Sequence, residues 1–340
     1  MTASLNVALI GYGYAGRVFH APLITASRGL NLARVTSSRP GDVMANLPHV
    51  RVSSSLTETL DDATIDLVVI ATPNAMHATQ AHAALDAGKH VVVDKPFTVT
   101  VEEAESVGAH AERAGRVLSV FHNRRWDSDF LTLRSLLESG TLGEVRYFES
   151  RFDRFRPVVR DRWRERSGPG AGLWYDLGPH LIDQTLQLFG APQAIEVDRA
   201  ILREGAEVDD YFHATLRYAH RRVVLHATML AAAHDTRFVV HGTRGSYTKS
   251  GLDTQEEALK IGRTPGDATW GHDPRDGVLT VVDGSEAIAR TVPNERGSYL
   301  RYYEGVRDAI QLGASNPVGW RDGLAVMRLL EGMAGSNASP

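Results

Sequence analysis

Three groups of residues in this chain have the types and spacing for redox work on a small molecule. The first is Gly11-Tyr12-Gly13-Tyr14-Ala15-Gly16, a Gly-x-Gly-x-x-Gly run that follows the apolar stretch Leu5 to Ile10 and opens a helical pattern. In that context Gly11 allows a tight turn, Gly13 lets the backbone approach a pyrophosphate, and Gly16 lets helix and strand pack closely, with the anion held on free N–H groups at the helix start. A glycine-rich surface turn is the alternative. The second is Lys95, which follows Val91-Val92-Val93-Asp94 and precedes Pro96. Beside a cationic nicotinamide an amine finds its charged form disfavoured, which moves it toward acid/base range; read alone, a solvated lysine is the simpler account. The third is Asp176, His180 and Asp183, spaced so that they share a helix face or its approach. A carboxylate beside an imidazole orients the ring and supports its cation, as a proton relay requires.

Two further segments bear on the cofactor. About 20 residues past the glycines, where an NAD site carries an acidic residue for the ribose 2′-hydroxyl, stand Thr36-Ser37-Ser38-Arg39. Hydroxyls and a guanidinium donate to a 2′-phosphate, so Ser37, Ser38 and Arg39 favour NADP over NAD; a polar loop is the bland reading. Asn74 and His77, in Ala71-Thr72-Pro73-Asn74-Ala75-Met76-His77, stand at a helix start, either as caps or as cofactor contacts.

These groups need elements to hold them. From Leu5 to about Val120, β-branched runs (Leu5 to Ile10, Leu32 to Thr36, Leu67 to Ala71, Val91 to Asp94, Val117 to Val120) alternate with helical patterns, as a doubly wound parallel sheet requires. After Asn123 comes a helix near Asp129 to Glu138. Period-two strands follow at Val145 to Phe155, Ile195 to Leu202, Tyr211 to Ala219, Arg222 to Leu230 and Arg237 to His241, a mostly antiparallel sheet interrupted by a helix from Pro179 to Phe189. Tyr299 to Leu312 and Gly323 to Gly332 read as closing helices, Gly262 to Gly277 as a surface loop, and Gly335 to Pro340 as a fraying end. The division expected is residues 1–122 for dinucleotide binding and 123–340 for substrate binding and oligomerisation.

At 340 residues the chain exceeds one hydrophobic core. A net charge of −4 without a basic run argues against nucleic acid. The absence of cysteine removes disulfides, thiolate metal sites and cysteine nucleophiles, and no metal is expected. Met1 to Ile10 does not read as a signal peptide and no segment is long and apolar enough to span a bilayer, so a cytoplasmic location and no membrane partner are expected.

Together with Phe121-His-Asn-Arg-Arg-Trp-Asp127, Arg162-Trp-Arg-Glu165 and Tyr175-Asp-Leu-Gly-Pro-His180, these motifs make the chain resemble, over essentially its whole length, the Gfo/Idh/MocA oxidoreductases. The resemblance implies a Rossmann domain followed by a domain with a large open sheet. It implies a catalytic group of Lys95, Asp176 and His180, and cofactor contacts from the glycine turn, Thr72, Pro73, Asn74, His77, Asp94, Lys95, Trp163 and Arg164. One departure is Asp94, where the family commonly has Glu; the shorter carboxylate puts its contact near the nicotinamide ribose in doubt. The pattern of Phe148 to Pro157 and Arg162 to Glu165 is similar to a branch that includes NADP-dependent scyllo-inositol dehydrogenases. It suggests Asp153, Arg154, Arg156 and Tyr175, with Lys95, Asp176 and His180, as contacts to a polyol or sugar, although each of the four also fits a strand face.

The reaction expected is hydride transfer between NADP and a carbon bearing a hydroxyl in a cyclitol or sugar. The alternatives are an NADP-sensing regulator without catalysis, and the same chemistry on an aldose, anhydrosugar or dihydrodiol. A homodimer or homotetramer through the C-terminal sheet is also expected, with Val223, Leu225, Ala227 and Met229 alternating suitably for burial against a partner.

Overall fold

The structure is a computed structural model that describes residues 4–233 and 235–333. The expectation for Gly335 to Pro340 lies outside the described residues. Along the chain, β1 (Leu5–Ile10) leads through a π-helical turn (Gly16–His20) into α1 (Ala21–Ala26), β2 (Leu30–Thr36), α2 (Pro40–Asn46), β3 (Arg51–Ser53), α3 (Leu56–Leu60), β4 (Leu67–Ile70), α4 (His77–Asp86), β5 (His90–Val93), α5 (Val101–Arg113) and β6 (Leu118–Val120). There follow α6 (Ser128–Glu138), β7 (Val145–Arg151), α7 (Leu173–Phe189), β8 (Ala194–Ala200), β9 (Tyr211–Tyr218), β10 (Arg221–Thr228), β11 (Thr236–Gly242), β12 (Gly245–Ser250), α8 (Gln255–Lys260), β13 (Gly277–Asp283), β14 (Glu286–Val292), α9 (Leu300–Leu312) and α10 (Trp320–Leu330).

Two compact units form. One holds Met1–Asn123, Gln255–Trp270 and Ser298–Met327; the other holds Arg124–Thr254, Gly271–Gly297 and Arg328–Pro340. The first is built on a parallel six-stranded sheet in the order β3-β2-β1-β4-β5-β6. Every residue of β4 is buried, as are Val91, Val92 and Val93 of β5, because helices on both faces leave such strands no wet side. Strand order reverses between β1 and β4, which puts a crevice at their carboxyl ends.

The second unit carries an eight-stranded sheet, β14-β13-β12-β11-β7-β10-β9-β8, antiparallel throughout except for β7 against β10. Helix α7 covers one face, with Phe189 against Phe148 and Trp174 against Phe212. That face also takes Val223, Leu225 and Ala227, all fully buried within the chain. The expectation that these residues meet a partner is therefore corrected: their alternation is satisfied by the internal core. The opposite face carries Tyr147, Glu149 and Arg151 of β7, aligned with His226 of β10, His213 of β9 and His241 of β11.

Helix α7 begins at Leu173, not at Pro179, which lies inside it. Its start is secured from elsewhere in the chain: Leu173 N–H donates to the Asp209 carbonyl at 2.8 Å and Trp174 N–H to the Asp209 carboxylate at 2.7 Å. Two orphan donors of the first turn are thus satisfied. Gly172 enters at φ +93°, where a side chain is strained. Strand β7 stops at Arg151, short of the expected Phe155, which makes only an isolated bridge to Leu230. The loop from Gly262 to Gly277 is irregular, yet it buries Trp270 and Asp273.

Candidate active site

In the first unit the glycine run divides by what each position faces. Gly11 stands at φ +95°, and a Cβ there would lie 2.6 Å from the Ala71 carbonyl oxygen at the exit of β4. A Cβ at Gly16 would fall 2.1 Å from the Gly11 carbonyl oxygen. Both positions are dictated by the chain's own packing. A Cβ at Gly13 would meet no atom within 4 Å. Its bareness serves nothing in the protein and leaves a cradle at the crevice that fits a dinucleotide pyrophosphate. Tyr12 is buried and Tyr14 exposed, with the Tyr14 hydroxyl donating to Glu256 of α8 at 3.2 Å, while Ala15 begins the descent into the helix.

At the end of β2, Ser37 is buried and Ser38 and Arg39 are exposed. The Ser37 hydroxyl accepts the Arg39 N–H at 3.1 Å, and the Arg39 guanidinium stands 3.5 Å from Asp42 in the first turn of α2. At the exit of β4, neither Asn74 nor His77 acts as a cap; Met76 occupies that position for α4. His77 is instead a buried brace. Its ring nitrogens lie 2.9 Å from the Pro96 carbonyl and 3.0 Å from the Thr72 carbonyl, wedged between the loop after β4 and the loop after β5, and a neutral ring donates to one of the two. Burial pushes its pKa down, against the pull of nearby Asp94, and favours the neutral ring. The Thr72 hydroxyl donates to Gln80 at 2.7 Å, Pro73 is exposed and Asn74 is buried.

Lys95 is 9% exposed at the close of β5, and its N–H donates to Asp94 Oδ1 at 2.8 Å. The Asp94 carboxylate, in doubt from the sequence, is turned inward, with His20 Nε2 at 3.8 Å. A signal that motif reading missed lies in the cation usage. Only four of the 37 Lys and Arg residues are lysines, at positions 89, 95, 249 and 260. Lys89 donates to two carbonyls, Lys249 pairs with Asp273 and Lys260 with Glu257. In a chain that otherwise uses arginine, an amine at 95 is a specific choice, and a lysine, unlike a guanidinium, can release a proton in the useful range.

In the second unit, α7 carries Tyr175, Asp176, His180 and Asp183. Asp176 and His180 are one turn apart on the same side of the helix. Asp176 Oδ1 is 3.6 Å from Arg164 Nε, and Arg164 stacks over Trp163 in the short turn Trp163–Glu165. Arg162, Arg164, Gly172, Asp176, Arg203 and Asp209 line a hollow there. Arg156 is half-buried nearby. Its pKa is pulled down to about 10 by burial and by Arg154, Arg160 and Arg162. His180 is buried. Asp183 is held by Arg125 through Nη2 at 2.6 Å and Nε at 3.0 Å, and Gln184 donates to the Arg124 carbonyl while accepting from Arg237. This clamp fixes the rotation of α7.

The other expected contacts also belong to the second unit. Asp153 joins the open face of the large sheet, 3.4 Å from His226 and 3.3 Å from Arg151, and burial raises its pKa. Arg154 lies over the Phe152 ring. The charged neighbours of the Tyr175 phenol are Glu331, Arg199 and Asp209.

Known proteins share this architecture. The family models described as "Oxidoreductase family, NAD-binding Rossmann fold" and "Oxidoreductase family, C-terminal alpha/beta domain", both of Gfo/Idh/MocA type, match residues 5–122 and 134–339. The chain is 56% identical over 331 residues to the "uncharacterized oxidoreductase YdgJ" of Escherichia coli (strain K12), covering 97% of this chain and 96% of that protein. It is 41% identical to the scyllo-inositol 2-dehydrogenase (NADP(+)) IolW of Bacillus subtilis (strain 168), covering 96% and 92%. Among solved structures, the YPO2259 protein of Yersinia pestis superposes with a TM-score of 0.94 at 52% identity, covering 97% and 94%. No helix among the described residues is long and apolar enough to cross a membrane.

Proposed function

Because the chain belongs to the Gfo/Idh/MocA oxidoreductase family, we propose that it is an NADP-dependent dehydrogenase or reductase acting on a CH–OH carbon of a cyclitol or sugar. The observation that carries the reading is the Lys95 amine at the exit of β5, in the same unit as the bare cradle at Gly13. The end of β2 supports NADP, because Ser37, Ser38 and Arg39 stand where an NAD site has a carboxylate. The NADP(+)-dependent relative supports both cofactor and substrate class.

Bound NADP supplies the hydride acceptor. Lys95 and His180 take the hydroxyl proton as the carbon becomes a carbonyl, and return it in the reverse direction. Asp176 orients His180, and the Arg164 guanidinium stands 3.6 Å from the Asp176 carboxylate as its ionic partner. Thr72, Pro73, Asn74, His77, Asp94, Trp163 and Arg164 complete the cofactor contacts. Arg154, Arg156, Asp153 and Tyr175 supply polar contacts to the polyol. The open face of the large sheet serves as a homo-oligomer interface in a cytoplasmic enzyme; a monomeric mass in solution refutes that part.

The test is turnover of NADP with a panel of inositols, aldoses, anhydrosugars and dihydrodiols, read at the reduced-nicotinamide absorbance band. Lys95→Ala is expected to bind NADPH as the parent does while kcat falls by about 10²–10⁴-fold. Lys95→Arg is expected to fall as far, since the guanidinium keeps its charge. Parent-like turnover in either variant refutes the role of the amine.

A further inference from the structure

A second set of buried polar groups meets at the strand end that bears Lys95. His20 is the last residue of the π-helical turn Gly16–His20 and is fully buried. Its Nδ1 lies 2.6 Å from the hydroxyl of Tyr303 on α9, which is also fully buried. Its Nε2 lies 3.8 Å from Asp94 Oδ1, the oxygen that accepts the Lys95 N–H at 2.8 Å. The Phe121 ring, 4.3 Å from the imidazole centroid, closes one side.

The hydrogen positions follow from the environment. Burial raises the Tyr303 pKa well above its ordinary value, so the phenol keeps its proton and is available to donate to Nδ1. With Nδ1 taken up by the phenol, Nε2 is the ring nitrogen that faces the Asp94 carboxylate. At 3.8 Å this is an electrostatic contact and not a hydrogen bond. The backbone agrees with a special purpose: a π-helical turn is a poor local choice, and its occurrence between the glycine run and α1 is what carries His20 inward. The imidazole lies between the Asp94 carboxylate and Tyr303 of α9.

We propose that His20 is a positioning residue for Lys95: through Asp94 it ties the main chain at the lysine to the helix that follows the glycine turn, and Tyr303 holds the imidazole in the orientation that does so. The proposal rests on the reading of Lys95 as the group that handles the substrate proton. It makes the cofactor cradle and the amine two ends of one buried strut.

The experiment combines His20→Asn, Asp94→Asn, the double variant, and Tyr303→Phe, which removes one oxygen and no packing. Two readouts are taken: steady-state kinetics with NADPH affinity, and the NMR titration of ε-¹³C-labelled lysine, whose Lys95 signal is one of four and is assigned by its loss in Lys95→Arg. The expectation is a fall in kcat of about tenfold or more in each single variant, with KM and NADPH affinity within about twofold of the parent in His20→Asn and Tyr303→Phe. The double variant is expected to be no worse than the worse single, and the Lys95 titration midpoint to move. Additive losses, parent-like kcat, or an unmoved Lys95 titration overturn the strut. If the parent turns over no polyol or sugar while the Lys95 midpoint still moves in His20→Asn, the strut stands and the reading of the reaction falls.

Discussion

The parallel sheet of one unit and the antiparallel sheet of the other distribute polar residues by opposite rules. In the parallel sheet the central strands are apolar on both faces, so polar groups collect where the strands end: Gly11, Ser37, Thr72 and Lys95 each lie just past the last residue of a strand. In the antiparallel sheet one face is dry and the other carries Glu149, Arg151, His213 and His226 along the strands. Its candidate chemistry lies on α7, off the sheet. The lesson is that strand ends present groups through backbone register, whereas a helix must be locked in rotation before its side chains point reliably.

The sharpest way to break this contrast is to unlock α7. Asp183 and Arg125 are both buried, and removing one charge strands the other. Asp183→Asn is expected to cost ~3–5 kcal/mol of stability. Thermal or denaturant unfolding measures it, and a parent-like midpoint would show that α7 is held by its apolar face alone.

The glycine turn tests the strand-end half. Gly16→Ala forces a Cβ onto the Gly11 carbonyl and is expected to cost ~1–3 kcal/mol. Gly13→Ala meets open space, so its stability should match the parent while NADPH affinity falls. If both variants lose stability equally, the assignment of Gly13 to a ligand fails. A smaller effect is expected at Arg39, where Arg39→Ala should weaken NADPH by about tenfold and leave NADH nearly unchanged, as loss of one charge-assisted hydrogen bond predicts. Equal losses for the two cofactors would argue against a 2′-phosphate contact.

How much of this was legible follows the same division. The parallel unit announced itself, because buried β-branched runs and a glycine turn are local signals; α2, the short β3 and α8, which joins this unit from far along the chain, went unread. The antiparallel unit hid β12, β13 and β14. β14 is nearly all exposed and shows no alternation of burial to read. The beginning of α7 was missed because its cap is Asp209, more than 30 residues away. Lys95, Asp176 and His180 were legible as types at spacings. The groups that hold their neighbours were not: His20, Tyr303 and Arg125 act through contacts distant in sequence.

His77 offers the smallest effect and the finest test. It braces two strand-end loops from a buried position, and burial lowers its pKa in the folded protein. The unfolded chain has the ordinary value near 6.5. Below that pH the unfolded state binds a proton that the folded ring resists, so the unfolded state gains and stability drains as pH falls from about 6.5 toward the folded-state value. Above about pH 6.5 both states are neutral at this residue and its contribution is constant. His77→Gln, which retains one amide donor for the carbonyl of Thr72 or Pro96, should unfold with a shallower pH slope between about pH 5 and 6.5 than the parent. A steeper slope in the variant would mean that the ring is charged in the fold, donating to both carbonyls at once with Asp94 as its counter-ion, and an unchanged slope would mean that folding leaves its pKa where it was; either outcome removes the neutral brace.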